Sequence, residues 1–310
     1  MRISVRLNKP EYWFQPRQLF RKMLLELGRH SSATSTHVHL PWGVKIAVNS
    51  RDSIGKSLIS SGVYDLAVSE VLWRLTDPGD HCLDIGANIG YMTSLFAVRA
   101  GESGRIFSFE PHPGVFSRLQ ANVQSWYGSG ISRKRSPVSL NQLAVGSSNC
   151  EMDLLEPEGF EENESSATLI SAGRQSAFNG ARHRVRVRCL DAFLQEARQF
   201  GVMKVDVEGA ELAVLEGASG LLAGRKIRDI IYEDFQPFPS GCIALLRRHG
   251  YAIFRIAKAI LGPVVWDPSD HCVVDRSPPW EPINYLGTVN PDRAQARLRP
   301  RGWLCLRAGE

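Results

Sequence analysis

The stretch 82–101, CLDIGANIGYMTSLFAVRAG, decides how the rest of the chain is read. A short apolar run reaches Asp84, glycines stand at Gly86 and Gly90, and an apolar-periodic segment follows. Strand, glycine loop and helix in that order let a ligand approach bare backbone at a helix start. A dinucleotide loop has G-x-G-x-x-G, whereas the spacing here is G-x-x-x-G with an acid two residues ahead. An Asp beside the loop repels a pyrophosphate and suits a cationic or amino-bearing ligand.

Outward from this loop the chain alternates strand and helix. Strand patterns at 43–48, 81–86, 105–111, 138–145, 184–190, 202–209, 227–234, 251–257 and 271–276 alternate with helical ones at 63–76, 91–100, 115–126, 191–198, 211–222 and 242–250. Such alternation predicts an α/β fold, a mostly parallel sheet with helices on both faces. Ligands bind such sheets beyond the carboxyl ends of the strands, where strand order reverses. The acids at strand ends, Asp84, Glu110, Asp206 and Glu233, should gather there. Glu110 comes 24 residues after Gly86, where an acid accepts the ribose hydroxyls of a nucleoside cofactor. S-adenosylmethionine has a sulfonium, an amino group and a ribose diol but no phosphate, so the loop and Glu110 together point to it.

Composition sets the boundaries. At 310 residues, 43% apolar and 22% charged, the chain is an ordinary globular one with room for a large core. Its net charge of +5 sits at the ends, since residues 1–35 and 276–310 are basic and the body between them is mildly acidic. That argues against a nucleic-acid groove across the body, and no nucleic-acid partner is expected. The six cysteines show no CxxC pair or metal-finger spacing, and no apolar run reaches membrane-span length. With no apolar signal segment at the start, a cytoplasmic protein is expected. Residues 10–29 carry a basic amphipathic helix pattern, suited to packing on the domain or, as the alternative, to a membrane or partner surface.

The sequence resembles the FkbM family of S-adenosylmethionine-dependent methyltransferases. The likeness rests on PWGVKIAV (41–48), DSIGKSLISSGVYDLAVSE (52–70), DPGDHCLDIGANIGYMTSLFA (77–97), IFSFEPHP (106–113), MKVDVEGAELAVLEGA (203–218) and HGYAIFRI (249–256). It implies a class I methyltransferase (Rossmann-like) fold with a seven-stranded, mostly parallel sheet whose last strand is antiparallel. It also implies methyl transfer, most often to a hydroxyl of a sugar, glycan or polyketide-like small molecule. By position, Asp84, Gly86, Asn88, Gly90 and Glu110 line the cofactor site, Tyr64 approaches the methionine end, and Thr93 bonds the cofactor carboxylate. Asp65 stands where many members carry Glu. The expected domains are a basic N-terminal helical extension (1–39), the methyltransferase domain (40–276) and a C-terminal basic extension (277–310).

Methyl transfer to an alcohol needs alignment and a proton acceptor, or a metal that acidifies the hydroxyl. Asp206, Glu208 and Glu233 are the candidate catalytic residues, with Glu208 on the side of Asp206 if the strand stays extended. Asp206 as base or positioning group stands against Asp206, Glu233 and Asp234 holding Mg²⁺. No metal ligand set is assigned, because the resemblance supplies none. Glu211 is read as a helix cap and His249 as a helix end, with His112 near the adenine and His81 at the wrong end of its strand. Ser165, Ser166, Trp266, Trp280 and His271 are lesser candidates for the substrate side. A cofactor-binding protein without catalysis and a nucleic-acid methyltransferase are the rival readings.

Overall fold

The computed structural model describes residues 10–11, 35–127, 135–171, 180–194, 198–236, 238–270 and 283–307. Most of the helix pattern at 10–29, the strand pattern at 271–276, His271 and Trp280 lie outside the described residues.

Fourteen strands are described: β1 Ser35–His39, β2 Lys45–Asn49, β3 His81–Ile85, β4 Arg105–Phe109, β5 Val138–Asn141, β6 Ala144–Val145, β7 Cys150–Leu155, β8 Thr168–Ser171, β9 Arg182–Arg188, β10 Phe200–Val205, β11 Ile227–Glu233, β12 Ala252–Ala259, β13 Gly262–Trp266 and β14 Asn284–Thr288. The helices are α1 Ser53–Ser61, α2 Leu66–Leu75, α3 Tyr91–Ala100, α4 Pro113–Trp126, α5 Leu190–Phe193, α6 Glu211–Glu216, α7 Ser219–Ala223, α8 Gly241–Arg248 and α9 Pro291–Leu298.

The central sheet has eight strands in the order β13-β12-β14-β11-β10-β3-β4-β5. From β5 to β11 every pairing is parallel, and β14 is antiparallel to both β11 and β12. This is the class I methyltransferase arrangement, with β13 added at one edge. Its central strands read as unbroken apolar runs because both faces are covered; all six residues of β10 are buried. One face packs on α2, α3 and α4 through residues such as Leu72, Phe96 and Leu119. The other packs through Val214, Leu222 and Leu246 of α6, α7 and α8. Burying each such side chain contributes roughly 1.5–3 kcal/mol.

Two expected boundaries move. β1 pairs with β2 along its whole length, so a limit at residue 39 would cut a hairpin. Beyond residue 276, β14 lies inside the sheet and α9 is tied to its amino end, so this stretch is part of the fold. Arg293 of α9 reaches Asp229 at 3.1 Å and Asp77 at 2.5 Å, and Arg297 reaches Asp77 at 2.6 Å. Two basic residues of this tail, Arg293 and Arg297, are partners for acids at the amino end of the sheet. That reuse explains why its charge misled as a sign of a separate extension.

The run 138–145 divides into β5 and β6, which enter different sheets. β6, β9, β7 and β8 form a small second sheet. The acidic segment before β8 is fastened by Glu164, which takes Arg118 at 2.7 and 2.5 Å and Asn49 at 2.9 Å, while its own N–H donates to Asp52 at 3.0 Å. Among the described residues no helix is long and apolar enough to cross a membrane.

Candidate active site

Strand order reverses between β3 and β10, and there the glycine loop lies. The chain leaves β3 at Gly86 with φ +77°. Gly86 N–H and Ala87 N–H both donate to Phe109 O, at 3.0 and 2.9 Å, and Asp206 N–H donates to Ile85 O at 3.1 Å. A Cβ on Gly86 would fall 1.8 Å from Asp206 O, so only glycine lets β3 and β10 close there. Gly90, at φ +94°, answers a different need: a Cβ would meet Leu119 at 2.8 Å, and the residue serves the packing of α3 on α4 rather than the cavity wall.

The cavity beyond these strand ends is walled by Tyr64, Gly86, Asn88, Glu110, Lys204, Asp206 and Glu208 among others. Asn88 sits at φ +48°, and its N–H donates to Glu110 Oε2 at 3.0 Å. His112 N–H donates to Glu110 Oε1 at 2.9 Å. Burial pushes the Glu110 carboxyl up to about 7, against the pull of those two backbone N–H groups. A carboxylate accepts a diol best when ionised, so cofactor affinity should weaken as pH falls through about 7. Calorimetric titrations of S-adenosylmethionine on either side of that value would check it; equal affinities would remove Glu110 from the ribose role. Leu154, Ala167 and Leu169, from β7, β8 and the turn between, roof the cavity, and Asn88 Nδ2 reaches Ser165 Oγ at 3.4 Å.

Two expected cavity residues are placed behind the wall. Asp84 is fully buried within β3, and Thr93 Oγ1 donates to its Oδ2 at 2.5 Å. Thr93, also fully buried, shares a second bond with Ser108 at 2.9 Å, so its hydroxyl faces the strands and not a cofactor carboxylate. Asp84 Oδ1 is buried with no hydrogen-bond partner. The nearest charge is Lys204 Nζ at 3.8 Å. Lys204 also reaches Asp206 Oδ2 at 3.2 Å and Gly86 O at 2.9 Å. Burial alone would lower this amine, but Asp206 and Asp84 outweigh it and raise it. Lys204 is thus a buried ammonium joining the cofactor loop to Asp206. Sequence reading passed over it as one letter of a strand; a lone cation two residues before Asp206 in KVDVEG was the available signal.

The catalytic candidates do converge. The register pairs Val205 with Tyr232, which sets Asp206 beside Glu233 at the ends of β10 and β11. β10 stops at Val205, and Glu208 adopts φ +52° with Gly209 at φ +94°. The extended geometry expected to align Glu208 with Asp206 therefore ends first, and a turn presents Glu208 to the cavity instead. Burial and then Asp206 push Glu208 up to about 7 and Glu233 up to about 8. The Tyr64 phenol is held well above its usual range by burial, then by Asp206, Asp65, Glu233 and Glu208, so Tyr64 borders the same acids. Asp65, at φ +37°, caps α2 through Val68 N–H at 3.1 Å and takes Asn284 Nδ2 at 3.2 Å. Of the four described non-glycine residues with positive φ, Asp65, Asn88 and Glu208 surround this site, and such strain concentrates where geometry serves function.

Glu211 is a cap as read: its Oε1 takes the N–H groups of Val207 at 3.2 Å and Gly209 at 3.0 Å. Asp234 is spent on its own loop, accepting from Gln236 N–H at 2.9 Å and from Ser240 Oγ, and is no partner for a metal with Asp206. His249 ends α8 as expected. Elsewhere, His112, Glu156 and His183 bring ligand-type atoms within 4.8 Å of one another. Both His Nε2 atoms lie on Glu156 Oε1, at 2.7 and 2.6 Å. His112 Nδ1, however, accepts from Val115 N–H at 3.2 Å, which leaves the ring proton on Nε2. That nitrogen donates to Glu156 and has no lone pair for a metal. The cluster is a hydrogen-bonded clasp between α4 and the small sheet.

The residues present suit S-adenosylmethionine: a glycine turn with no room for a Cβ, an acid at the end of β4, and an acidic far end for a cationic centre. Residues 84–253 match the profile of the methyltransferase FkbM domain, and residues 17–134 match that of protein-L-isoaspartate(D-aspartate) O-methyltransferase. A hexuronic acid methyltransferase, AglP, of Haloferax volcanii is 26% identical over 183 residues, covering 58% of this chain and 66% of the relative. Methyltransferase 1 of Beauveria bassiana is 28% identical over 149 residues, covering 44% and 57%. The chain thus spans less than two thirds of these relatives' length. The solved FkbM methyltransferase of Methylobacillus flagellatus is similar at 15% identity and TM-score 0.39, over 77% of this chain and 62% of that one. With the domain profile spanning more than half of its length, the chain belongs to the FkbM methyltransferase family.

Proposed function

We propose that this chain transfers a methyl group from S-adenosylmethionine to a hydroxyl oxygen of a sugar, glycan or polyketide-like small molecule. The observation that carries the reading is the meeting of Asp206 and Glu233, at the ends of β10 and β11, with Glu208 on the turn that follows, next to the glycine loop at Asp206. When bound, the cofactor supplies an electrophilic methyl on a sulfonium. The rest belongs to the chain's own residues. Glu110 takes the ribose end, and the roof of β7 and β8 excludes water from the middle of the cavity. Lys204 holds Asp206 in one orientation. Asp206, after burial, raises Glu208 and Glu233 into the range where a carboxylate is an effective proton acceptor near neutral pH. Glu233, on the rigid end of a strand, is the better placed to take the hydroxyl proton, with Glu208 orienting the acceptor. The acidic mouth repels polyanions, which supports a small-molecule or glycan acceptor over a nucleic acid. The hexuronic acid named for the Haloferax relative supports a sugar.

Labelled S-adenosylmethionine, incubated with neutral sugars, uronic acids and phenols, tests the reading. Label in a base-stable ether product is expected. Label only in a base-labile ester would move the reaction from hydroxyl to carboxyl, and absence of cofactor binding by calorimetry would sink the proposal.

A further inference from the structure

We propose that the turn between β12 and β13, with the segment 299–304 clamped to it, seats the protein on the surface of an anionic lipid bilayer. Lipid docking stands without the transfer reading; only its meaning for the acceptor rests on that reading.

β12 and β13 are joined by two residues, Ile260 and Leu261. A two-residue hairpin turn is ordinarily built from Asn, Asp and Gly, which tolerate its backbone and face water. Here two aliphatic side chains occupy it, 48% and 51% exposed, and Leu304 on the adjoining segment is 48% exposed. This exposure is not that of a loose end. Leu261 O accepts from Gly302 N–H at 2.6 Å and Ile260 O from Trp303 Nε1 at 3.1 Å, and the Trp303 ring is fully buried. Leu304 N–H donates to Glu70 Oε1 at 2.8 Å, on the buried Glu70–Arg74 pair. The backbone is thus fixed from within, and the three aliphatic side chains are what it leaves outside.

Strand pairing fixes where the tip lies. Glu233 is level with Asn284 of β14, and Asn284 with Ile256 of β12. β12 runs in the direction of β11, since each is antiparallel to β14. It continues past Ile256 to Ala259, so the turn projects roughly 13 Å beyond the level of Glu233 and about 10 Å to one side. The tip therefore stands at the same end of the sheet as Asp206, Glu208 and Glu233. A projecting pair of aliphatics suits the boundary between headgroups and acyl chains better than the broad face of a protein interface. Arg299 and Arg301 are exposed on the same segment, within three residues of Gly302. Cations flanking an apolar tip match the phosphates of anionic headgroups. So seated, the protein brings the transfer mouth towards the lipid surface, which fits an acceptor whose hydroxyl is carried on a lipid.

The test is sedimentation of the full chain, without S-adenosylmethionine, with vesicles of phosphatidylcholine alone or mixed with phosphatidylglycerol. Saturable binding to the mixed vesicles, weaker at high salt, is expected. Ile260→Ser/Leu261→Ser should lower it at least about tenfold. Arg299→Gln/Arg301→Gln should remove the preference for the anionic lipid. In both variants S-adenosylmethionine binding and unfolding temperature should be unchanged. No binding to the mixed vesicles would overturn the proposal. Binding undiminished in the Ile260/Leu261 variant would do the same, placing the contact elsewhere on the chain. Self-association without vesicles, abolished by that variant, would assign the tip to a second copy instead. These readouts need no methyl transfer, so a failed acceptor assay strikes the transfer reading alone.

Discussion

Replacing Glu233 by Gln is expected to lower turnover by about 10²- to 10⁴-fold while cofactor affinity stays within a few-fold. Glu233 ends β11 and pairs in register with Asn284, which in turn holds the cap of α2. Its backbone is held in the sheet by β14 on one side, while on the other β10 ends one position short of it. Burial first, then the charges of Asp206 and Glu208, push it up to about 8. A proton acceptor works in its ionised form, so turnover should rise with pH through about 8. Gln keeps the shape and removes the acceptor. Asp206→Asn supplies the discriminating comparison, because it removes a charge that raises Glu233. With Glu233 as the base, the rise moves to lower pH and turnover persists. With Asp206 as the base, turnover disappears at every pH. Turnover retained in Glu233→Gln would end the assignment.

Arg74→Ala is expected to destabilise the fold by about 3–5 kcal/mol, the range for breaking a buried ion pair from one side. Glu70 and Arg74 lie one helical turn apart in α2 and are buried together. Glu70 Oε1 takes Arg74 Nε at 2.6 Å and Leu304 N–H at 2.8 Å, and Oε2 takes Cys305 N–H at 2.8 Å. Arg74 donates to Arg297 O at 3.3 Å, Pro300 O at 2.5 Å and Gly302 O at 2.8 Å. The pair is therefore the junction through which α2 holds residues 297–305. Removing the arginine leaves a buried carboxylate without its cation and three carbonyls without donors. Urea denaturation of the variant should show a lower midpoint at unchanged slope. Adding Glu70→Gln should recover part of the loss, since it removes the stranded charge. A loss below about 1 kcal/mol would show that water replaces the guanidinium.

The alternation of strand and helix, the glycine loop and the family blocks made the parallel half of the sheet legible, because buried parallel strands are continuous apolar runs. Asp206, Glu208 and Glu233 were legible for the same reason: they follow such runs. Thr93 was misread because a hydroxyl at the start of α3 can face either the cofactor or the strands, and only Asp84 and Ser108 decide which. The departure from extended geometry at Glu208 was hidden, since a left-handed glutamate has no signature in sequence. β14 was missed because NYLGT is short, follows a proline-rich stretch and has basic residues downstream that resembled a tail. Lys204 was passed over because its approach to Asp84 depends on the adjacency of β10 and β3, and only its spacing to Asp206 lies in the local pattern.

The antiparallel β14 has a consequence for how the chain reaches this state. β11 and β12 are joined by one helix, yet they are not neighbours; β14, made later in synthesis, fills the space between them. Until that strand emerges, the nascent sheet offers two facing unpaired edges. Closing it requires a long-range contact made after β12 and β13 are synthesised, when the cofactor half of the sheet is already available to form. The interval between those events is the chain's vulnerable period for chaperone capture and for pairing with another nascent copy.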